Sequence, residues 1–206
     1  MKNVTMVLAG ILVLAMSSVC FGAGGYVGGA AGVFMPQDST VTNFDGTRGN
    51  QSYDTGYVLT AFGGYAFDSG LRLEGELAYR EAELDRAAGT YSYGYYGYND
   101  SLWAFSGMAN LFFDLRNNTN VTPYLGGGIG FATVSFDNGY YNQYYYDSEE
   151  ETVFAYQAGG GVCIDLSRNV ALDIGYRYFG TENIHFDFRE IELDSHNVTV
   201  GVKFKF

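Results

Sequence analysis

The chain ends in Val198-Thr199-Val200-Gly201-Val202-Lys203-Phe204-Lys205-Phe206, a stretch in which every second residue is apolar. Successive side chains of a β-strand point to opposite faces. One face of a strand formed by this stretch would carry only valine and phenylalanine, and the other would carry Lys203 and Lys205 with threonine and glycine. This pattern is typical of a strand that meets hydrocarbon on one side and a polar lumen on the other.

The beginning of the chain has the features of a secretory signal peptide. Lys2 precedes an apolar run over residues 6–16, and small residues follow at Cys20 and Gly22. The run is too short for a bilayer-spanning helix. We therefore predict a signal peptide over residues 1–22 and a single domain over residues 23–206. A lipoprotein site at Cys20 is the weaker alternative, because the preceding residues lack the leucine that such sites favour.

Composition narrows the class of protein. After cleavage Cys163 would be the only cysteine, so no intramolecular disulfide could form. The formal net charge of the whole chain is −12, which argues against nucleic acid as a partner and against a polybasic membrane-surface binder. The chain has 29 glycines and 19 tyrosines but only two prolines, which favours many strands and little helix.

Eight strands with alternating connections can be placed on the sequence. The predicted strands cover residues 24–35, 56–67, 71–84, 102–113, 121–136, 152–166, 170–180 and 195–206. The connections at 36–55, 85–101, 137–151 and 181–194 are long, whereas those at 68–70, 114–120 and 166–169 are short. This layout predicts an all-β fold: an eight-stranded antiparallel up-and-down transmembrane β-barrel with long extracellular loops and short periplasmic turns.

The faces of the strands predict a charged lumen. A soluble up-and-down barrel would instead bury the apolar faces, but that interior would be too aromatic and bulky for eight strands. The charged side chains expected in the lumen are Arg72, Glu74, Glu76, Arg80, Asp173, Arg177, Lys203 and Lys205. Buried charges must be paired, and one arrangement would set Glu74 and Glu76 against Arg177 and Lys203. We expect this network to be a static plug, because eight strands leave little room for water.

Aromatic residues near the predicted strand ends indicate interfacial girdles. The set comprises Trp103, Phe105, Phe112, Phe113, Tyr124, Phe154, Tyr156, Tyr176, Tyr178, Phe204 and Phe206. Aromatic residues are also good strand formers, so a single member of the set could have no role at an interface.

Three stretches carry a resemblance to a known family: residues 122–130 (TPYLGGGIG), 172–178 (LDIGYRY) and 201–206 (GVKFKF). With them the chain resembles the eight-stranded outer-membrane β-barrel proteins of the opacity or surface-antigen type, often labelled the porin family. The resemblance implies a location in the outer membrane of a Gram-negative cell, in contact with its lipids and lipopolysaccharide. It also implies that Val202, Phe204 and Phe206 form the signal read by the barrel-assembly machinery. The family includes adhesins, complement-evasion factors, structural barrels and a few lipid-modifying enzymes, and fold does not choose among them.

Residues for catalysis or metal binding are few. His185 and His196 supply the only imidazoles, and Ser195 and His196 would point to opposite faces of a strand. The His-x-Ser pair of barrel deacylases is absent. The acidic run at residues 147–151 lacks the spacing of a calcium loop. We predict no enzyme activity, no cofactor and no metal site, with a lipid-modifying enzyme as a remote alternative.

Two tyrosine-rich tracts fall in the predicted long loops. Tyrosine offers a large contact area at low entropic cost, which suits binding loops. The candidate binding residues are Tyr91, Tyr93, Tyr95, Tyr96, Tyr98, Tyr140, Tyr141, Tyr144, Tyr145 and Tyr146. We predict a monomer that displays these loops to a host or cell-surface ligand, in an adhesin-like or envelope-integrity role. A narrow porin for small solutes is the alternative, and the pairing of the lumen charges would discriminate between the two.

Overall fold

The computed structural model describes residues 24–37, 39–43, 48–51, 54–83, 101–137, 149–186, 189–191 and 193–206. Within these ranges the regular structure consists of strands: β1 (Gly25–Pro36), β2 (Ser39–Asn43), β3 (Arg48–Gln51), β4 (Gly56–Ala66), β5 (Leu71–Glu83), β6 (Ser101–Asp114), β7 (Val121–Asp137), β8 (Glu149–Asp165), β9 (Val170–Thr181), β10 (Ile184–Phe186), β11 (Arg189–Ile191) and β12 (Asp194–Lys205). None of the described residues belongs to a helix of the length and apolarity that would cross a bilayer.

Eight strands close into an antiparallel barrel in the order β1-β12-β9-β8-β7-β6-β5-β4. The predicted eight-stranded up-and-down barrel is therefore confirmed, and each predicted strand boundary lies within three residues of the observed one. The first and last barrel strands pair from Tyr26 with Lys205 to Pro36 with Ser195. The N–H of Phe206 adds a hydrogen bond to the carbonyl of Gly25, at 2.9 Å, so the end of the chain closes the barrel.

Short turns at one end of the barrel are held by side chains as well as by backbone. Gly70 adopts a φ of 88°, a left-handed conformation that glycine reaches without strain, in the turn between β4 and β5. Arg116, in the neighbouring turn, donates to the carbonyl oxygens of Phe67 and Asp68 at 2.6 and 3.0 Å. Asn169 donates through Nδ2 to the carbonyl of Lys205 at 2.9 Å. We call this the short-turn end and the opposite one the long-loop end.

The long-loop end carries a small sheet that the sequence did not predict. Strands β2 and β3 follow β1, strands β10 and β11 precede β12, and the four pair in the order β10-β11-β2-β3. Residues 36–55 and 181–194 were expected to be loops. They come together because β1 and β12 are neighbours in the closed barrel, so the two connections start side by side.

The outer face of the barrel is a band of apolar side chains. Leu73, Leu125, Ile129, Phe131 and Phe204 are each at least half exposed, which suits a surface against hydrocarbon. The terminal residues Val202, Phe204 and Phe206 all lie on this face. Near the long-loop end Trp103 stacks on Tyr79 at a centroid distance of 6.4 Å.

Two members of the predicted girdles lie inside the barrel instead. Phe112 and Tyr124 are buried, and their rings meet edge to face at 5.5 Å. The prediction was wrong for Phe112 because three apolar residues in succession, at 111–113, hide the alternation of faces. Leu111 and Phe113 take the two outward positions, and Phe112 points into the lumen.

Candidate functional site

The lumen contains a layer of ionisable and aromatic side chains toward the short-turn end. Arg72, Glu74, Glu76, Asp173 and Lys203 are buried there. Arg80 is also buried, nearer the long-loop end, and Arg177 is partly buried. Alternation along β5, β9 and β12 places these residues, since the intervening residues face outward.

A buried ion pair joins β9 to β12. Lys203 Nζ lies 2.9 Å from Asp173 Oδ2, and the two side chains are 4% and 10% exposed. The hydroxyl of Tyr124 donates to the other oxygen of Asp173 at 2.7 Å. Asp173 is therefore paired with a cation and hydrogen-bonded on both of its oxygens.

Arg72 lies in a cage of aromatic rings and carboxylates. Its Cζ lies 4.6 Å from the ring centroid of Tyr124, with Tyr26 and Phe112 also around it. Its Nη1 is 3.9 Å from Glu74, and its Nε is 3.3 Å from Asp114. Glu74 also accepts a hydrogen bond of 2.8 Å from the hydroxyl of Tyr26.

Amides, not cations, hold the second buried glutamate. Gln157 Nε2 donates to Glu76 at 3.1 Å, and Asn110 Nδ2 lies at the limit of hydrogen bonding to it, at 3.5 Å. Gln157 Nε2 also contacts Asn110 Oδ1 at 2.7 Å. The suggested pairing of Glu74 and Glu76 with Arg177 and Lys203 is not observed. Lys203 instead forms an ion pair with Asp173, and Glu74 forms one with Arg72.

Two of the lumen arginines have no carboxylate within 4.0 Å among the described residues. Arg80 donates to Ser106 at 2.8 Å and to Asn197 at 3.3 Å, and its Cζ lies 4.0 Å from the ring centroid of Phe179. Arg177 donates to the carbonyl of Tyr176 at 3.3 Å, and its Cζ lies 4.6 Å from the centroid of Phe112.

Lys205 does not belong to the buried layer. It forms an ion pair with Asp165 at the short-turn end, where the two side chains are 34% and 43% exposed. Its assignment to the lumen network was wrong, because the last residues of β12 lie at the rim of the barrel, where water reaches both partners.

An apolar layer fills the lumen toward the long-loop end. Phe34, Leu102 and Phe179 have no exposed surface, and smaller apolar side chains complete the layer. The other members are Val58, Ala82, Ala104, Met108, Ala132, Val134, Val153, Ala155 and Leu193. The sequence prediction did not include this layer, because it was built on the charged positions of the lumen-facing strands alone. The signal was present in β6, where the lumen-facing positions change from Asn110 to Met108, Ala104 and Leu102, with Ser106 as the one polar residue among them.

Between the two layers lies a cavity of about 20 Å³, which we call the lumen cavity. It has room for roughly one water molecule. Six charged residues line it together with polar and apolar neighbours. The lining consists of Arg72, Glu74, Glu76, Arg80, Asp173, Arg177, Ala30, Val58, Thr60, Phe62, Asn197 and Thr199.

Candidate catalytic side chains do not converge in the described part of the chain. Ser195 is buried in the lumen and accepts from Asn197 Nδ2 at 3.2 Å. His196 is on the other face, within 2.8 Å of Gln37 and 2.6 Å of the hydroxyl of Tyr176. Among the residues described, no three His, Cys, Asp or Glu side chains form a group that could hold a metal ion.

The candidate binding tyrosines, residues 91–98 and 140–146, lie outside the described residues, as do the predicted signal peptide and the side chain of His185. The structure does place the strands that carry the second tyrosine tract. Strands β7 and β8 each have 17 residues, whereas a membrane-crossing strand needs about 9–11. Near the long-loop ends of β7 and β8, the outward-facing Thr133 and Thr152 share a hydrogen bond of 2.9 Å.

Comparison with known proteins adds a family match. The sequence model of the outer membrane protein β-barrel domain matches residues 5–206. An uncharacterised protein of Brucella abortus (strain 2308) is 30% identical over 152 residues, which is 64% of this chain and 51% of that protein. The chain thus spans about half the length of the curated relatives it matches.

Solved structures give the same fold. OprG from Pseudomonas aeruginosa aligns with a TM-score of 0.64 and 16% identity, over 89% of this chain and 96% of that one. Neisserial surface protein A aligns with a TM-score of 0.57 and 20% identity, over 89% of this chain and 98% of that one. At these identities the likeness concerns the fold alone.

Proposed function

Because the chain belongs to the outer membrane protein β-barrel domain family, it is an integral outer-membrane barrel, and we propose that it acts through surface display rather than through transport in its lumen. The short-turn end then faces the periplasm and the long-loop end faces outward. The barrel holds and orients the outer loops, in an adhesin-like or envelope-integrity role, without catalysis.

The closed lumen is the observation that carries this proposal. A conducting pore needs a continuous aqueous path, but the apolar layer around Phe34, Leu102 and Phe179 crosses the lumen. Below it, Arg72 is packed among three aromatic rings. The cavity between the two layers has room for about one water molecule. This arrangement favours a plug over a porin.

The outer end of the barrel supports display. The sheet formed by β2, β3, β10 and β11 joins the first and last long connections into one ordered unit at this end. Strands β7 and β8 exceed the length needed to cross the bilayer by about six residues each. The Thr133–Thr152 hydrogen bond on their outward face suits a position above the hydrocarbon. The long-loop ends of β7 and β8, which precede and follow the tyrosine tract in the sequence, thereby stand above the membrane surface.

Single-channel recording in a planar bilayer tests the lumen part of the proposal. The mature chain is purified from outer membranes, and its insertion is verified by protease protection. We expect no openings. Stable, reproducible openings would refute the plug and favour the narrow porin instead.

Adherence of whole cells tests the display part. Laboratory Gram-negative cells that express the chain are applied to epithelial monolayers and compared with cells that carry an empty vector. We expect the chain to increase adherence, and Tyr144→Ser with Tyr145→Ser and Tyr146→Ser to remove the gain. A matched control changes two exposed periplasmic-turn residues, Asn118→Ser and Arg168→Ser, and should keep it.

Equal adherence with and without the chain would refute the adhesin-like role. The envelope-integrity role has a separate measurement, the detergent sensitivity of the native host after deletion of the gene. Increased sensitivity would support it, and unchanged sensitivity would argue against it.

A further inference from the structure

One carboxylate lies on the outer face of the barrel, at the long-loop edge of the apolar band. Glu81 is the eleventh residue of β5, which begins at Leu71, and a membrane-crossing strand needs about 9–11 residues. Alternation along β5 puts Glu81 on the same face as the exposed Leu71 and Leu73, whereas Arg80 points into the lumen. Glu81 therefore faces the membrane where the hydrocarbon meets the outer headgroups.

Three aromatic side chains surround this carboxylate. Glu81 lies between Tyr57 of β4 and Trp103 of β6, which are its direct partners in the sheet. The hydroxyls of Tyr57 and Tyr79 donate to the same oxygen of Glu81, Oε2, at 2.6 and 2.8 Å. The ring centroid of Tyr79 lies 6.2 Å from that of Tyr57 and 6.4 Å from that of Trp103. We call these four residues the Glu81 patch.

The negative charge of the patch has no counter-charge in the described part of the barrel. Two hydroxyl donors stabilise the ionised form of Glu81, but neither donor is itself charged. Among the described residues, no lysine or arginine forms an ion pair with Glu81. The adjacent Arg80 is buried on the opposite face, over the ring of Phe179. Because an ionised group at the edge of hydrocarbon is costly, the patch favours a cation supplied from outside the barrel.

The aromatic rings indicate the kind of cation. Calcium and magnesium ions take six or more oxygen ligands, whereas the patch contains a single carboxylate. An organic ammonium group suits it better, since such groups bind the faces of tryptophan and tyrosine rings. On the side toward the short-turn end, the exposed Leu59 and Phe105 flank Tyr79 in the sheet and offer an apolar surface to alkyl chains.

We propose that the Glu81 patch binds the ammonium headgroup of a membrane lipid, whose acyl chains run over Leu59 and Phe105. The lipid-facing position of the patch gives such a headgroup direct access, and the carboxylate supplies the complementary charge. This site is independent of the surface display proposed above.

Quenching of Trp103, the single tryptophan, by brominated lipid measures which lipids occupy the patch. The purified mature chain is reconstituted in vesicles of phosphatidylethanolamine and phosphatidylglycerol, with bromine on the acyl chains of one lipid or of the other. We expect the ethanolamine lipid to be enriched about threefold to fivefold at Trp103 over its share of the bilayer, the size expected for one exposed ion pair and one cation–π contact. The reversed label should report a matching depletion of the glycerol lipid. Quenching in proportion to bilayer composition would overturn the proposal.

Two variants separate the patch from the general charge of the chain. Glu81→Gln keeps the shape of the side chain and removes its charge, so it should abolish the enrichment. Asp68→Asn removes the same charge from an exposed turn at the short-turn end and should leave the enrichment unchanged. Enrichment that survives Glu81→Gln, or that is lost equally in both variants, would refute the site. If Glu81→Gln does not insert, the comparison of the unmodified chain with Asp68→Asn still decides.

Discussion

Lys203→Met should destabilise the barrel far more than Lys205→Met, although both lysines lie on β12 and both are ion-paired. Lys203 and Asp173 are 4% and 10% exposed, whereas Lys205 and Asp165 are 34% and 43% exposed. Removal of one partner from a buried pair leaves an uncompensated charge and costs about 3–5 kcal/mol. Tyr124 still donates to Asp173 in the variant, so we expect a loss near the lower end, about 3 kcal/mol.

The exposed pair provides the matched control. Surface ion pairs contribute about 0–1 kcal/mol, so Lys205→Met should change the free energy of unfolding by less than about 1 kcal/mol. A third variant, Asp173→Asn with Lys203→Met, removes both buried charges. It should recover most of the loss, because an uncharged pair of similar volume carries no uncompensated charge.

Urea unfolding of the barrel in lipid vesicles measures these differences, with Trp103, the single tryptophan, as the fluorescent probe. Equal losses for Lys203→Met and Lys205→Met would refute the argument from burial. A double variant as unstable as Lys203→Met alone would show that packing of the lysine stem, and not the orphaned carboxylate, is responsible.

Two further predictions concern uncharged residues and use the same unfolding assay. Gly130→Ala should lower the free energy of unfolding by about 1–3 kcal/mol, because the added Cβ would lie 2.0 Å from the carbonyl oxygen of Gly107. Gly75→Ala is the control: the nearest atom to its added Cβ is 3.9 Å away, so it should be neutral or slightly stabilising. Equal effects of the two substitutions would contradict the close approach at Gly130. Phe179→Ala should lower the free energy of unfolding by about 3–5 kcal/mol, since it opens a cavity in the apolar layer and removes the ring beside Arg80. A loss below about 1 kcal/mol would mean that the layer is not tightly packed.

Sequence reasoning was most successful where it used alternation within one strand. Residues two apart share a face whatever the strand pairs with, so Arg72, Glu74 and Glu76 could be assigned to one face and Leu71 and Leu73 to the other. The same rule failed where apolar residues run together, as it did for Phe112. It also could not locate the ends of the lumen, which is why Lys205 was assigned to the interior.

Partners across the lumen could not be predicted, because they depend on register and closure. Arg80 contacts Asn197, which lies 117 positions away, and Tyr26 contacts Glu74, 48 positions away. Each contact requires the strands to close with a particular stagger. The sheet of β2, β3, β10 and β11 likewise depends on closure, which brings the first and last long connections together.

The sequence by itself therefore determined the class of fold, the number of barrel strands and the face that meets the membrane, because these follow from a period of two within each strand and from the spacing of turns. Only the tertiary structure decided which charges pair, that an apolar layer closes the outer half of the lumen, and that a small cavity lies beneath it. These features arise between strands distant in sequence, whose relative heights are set by the register of the closed barrel.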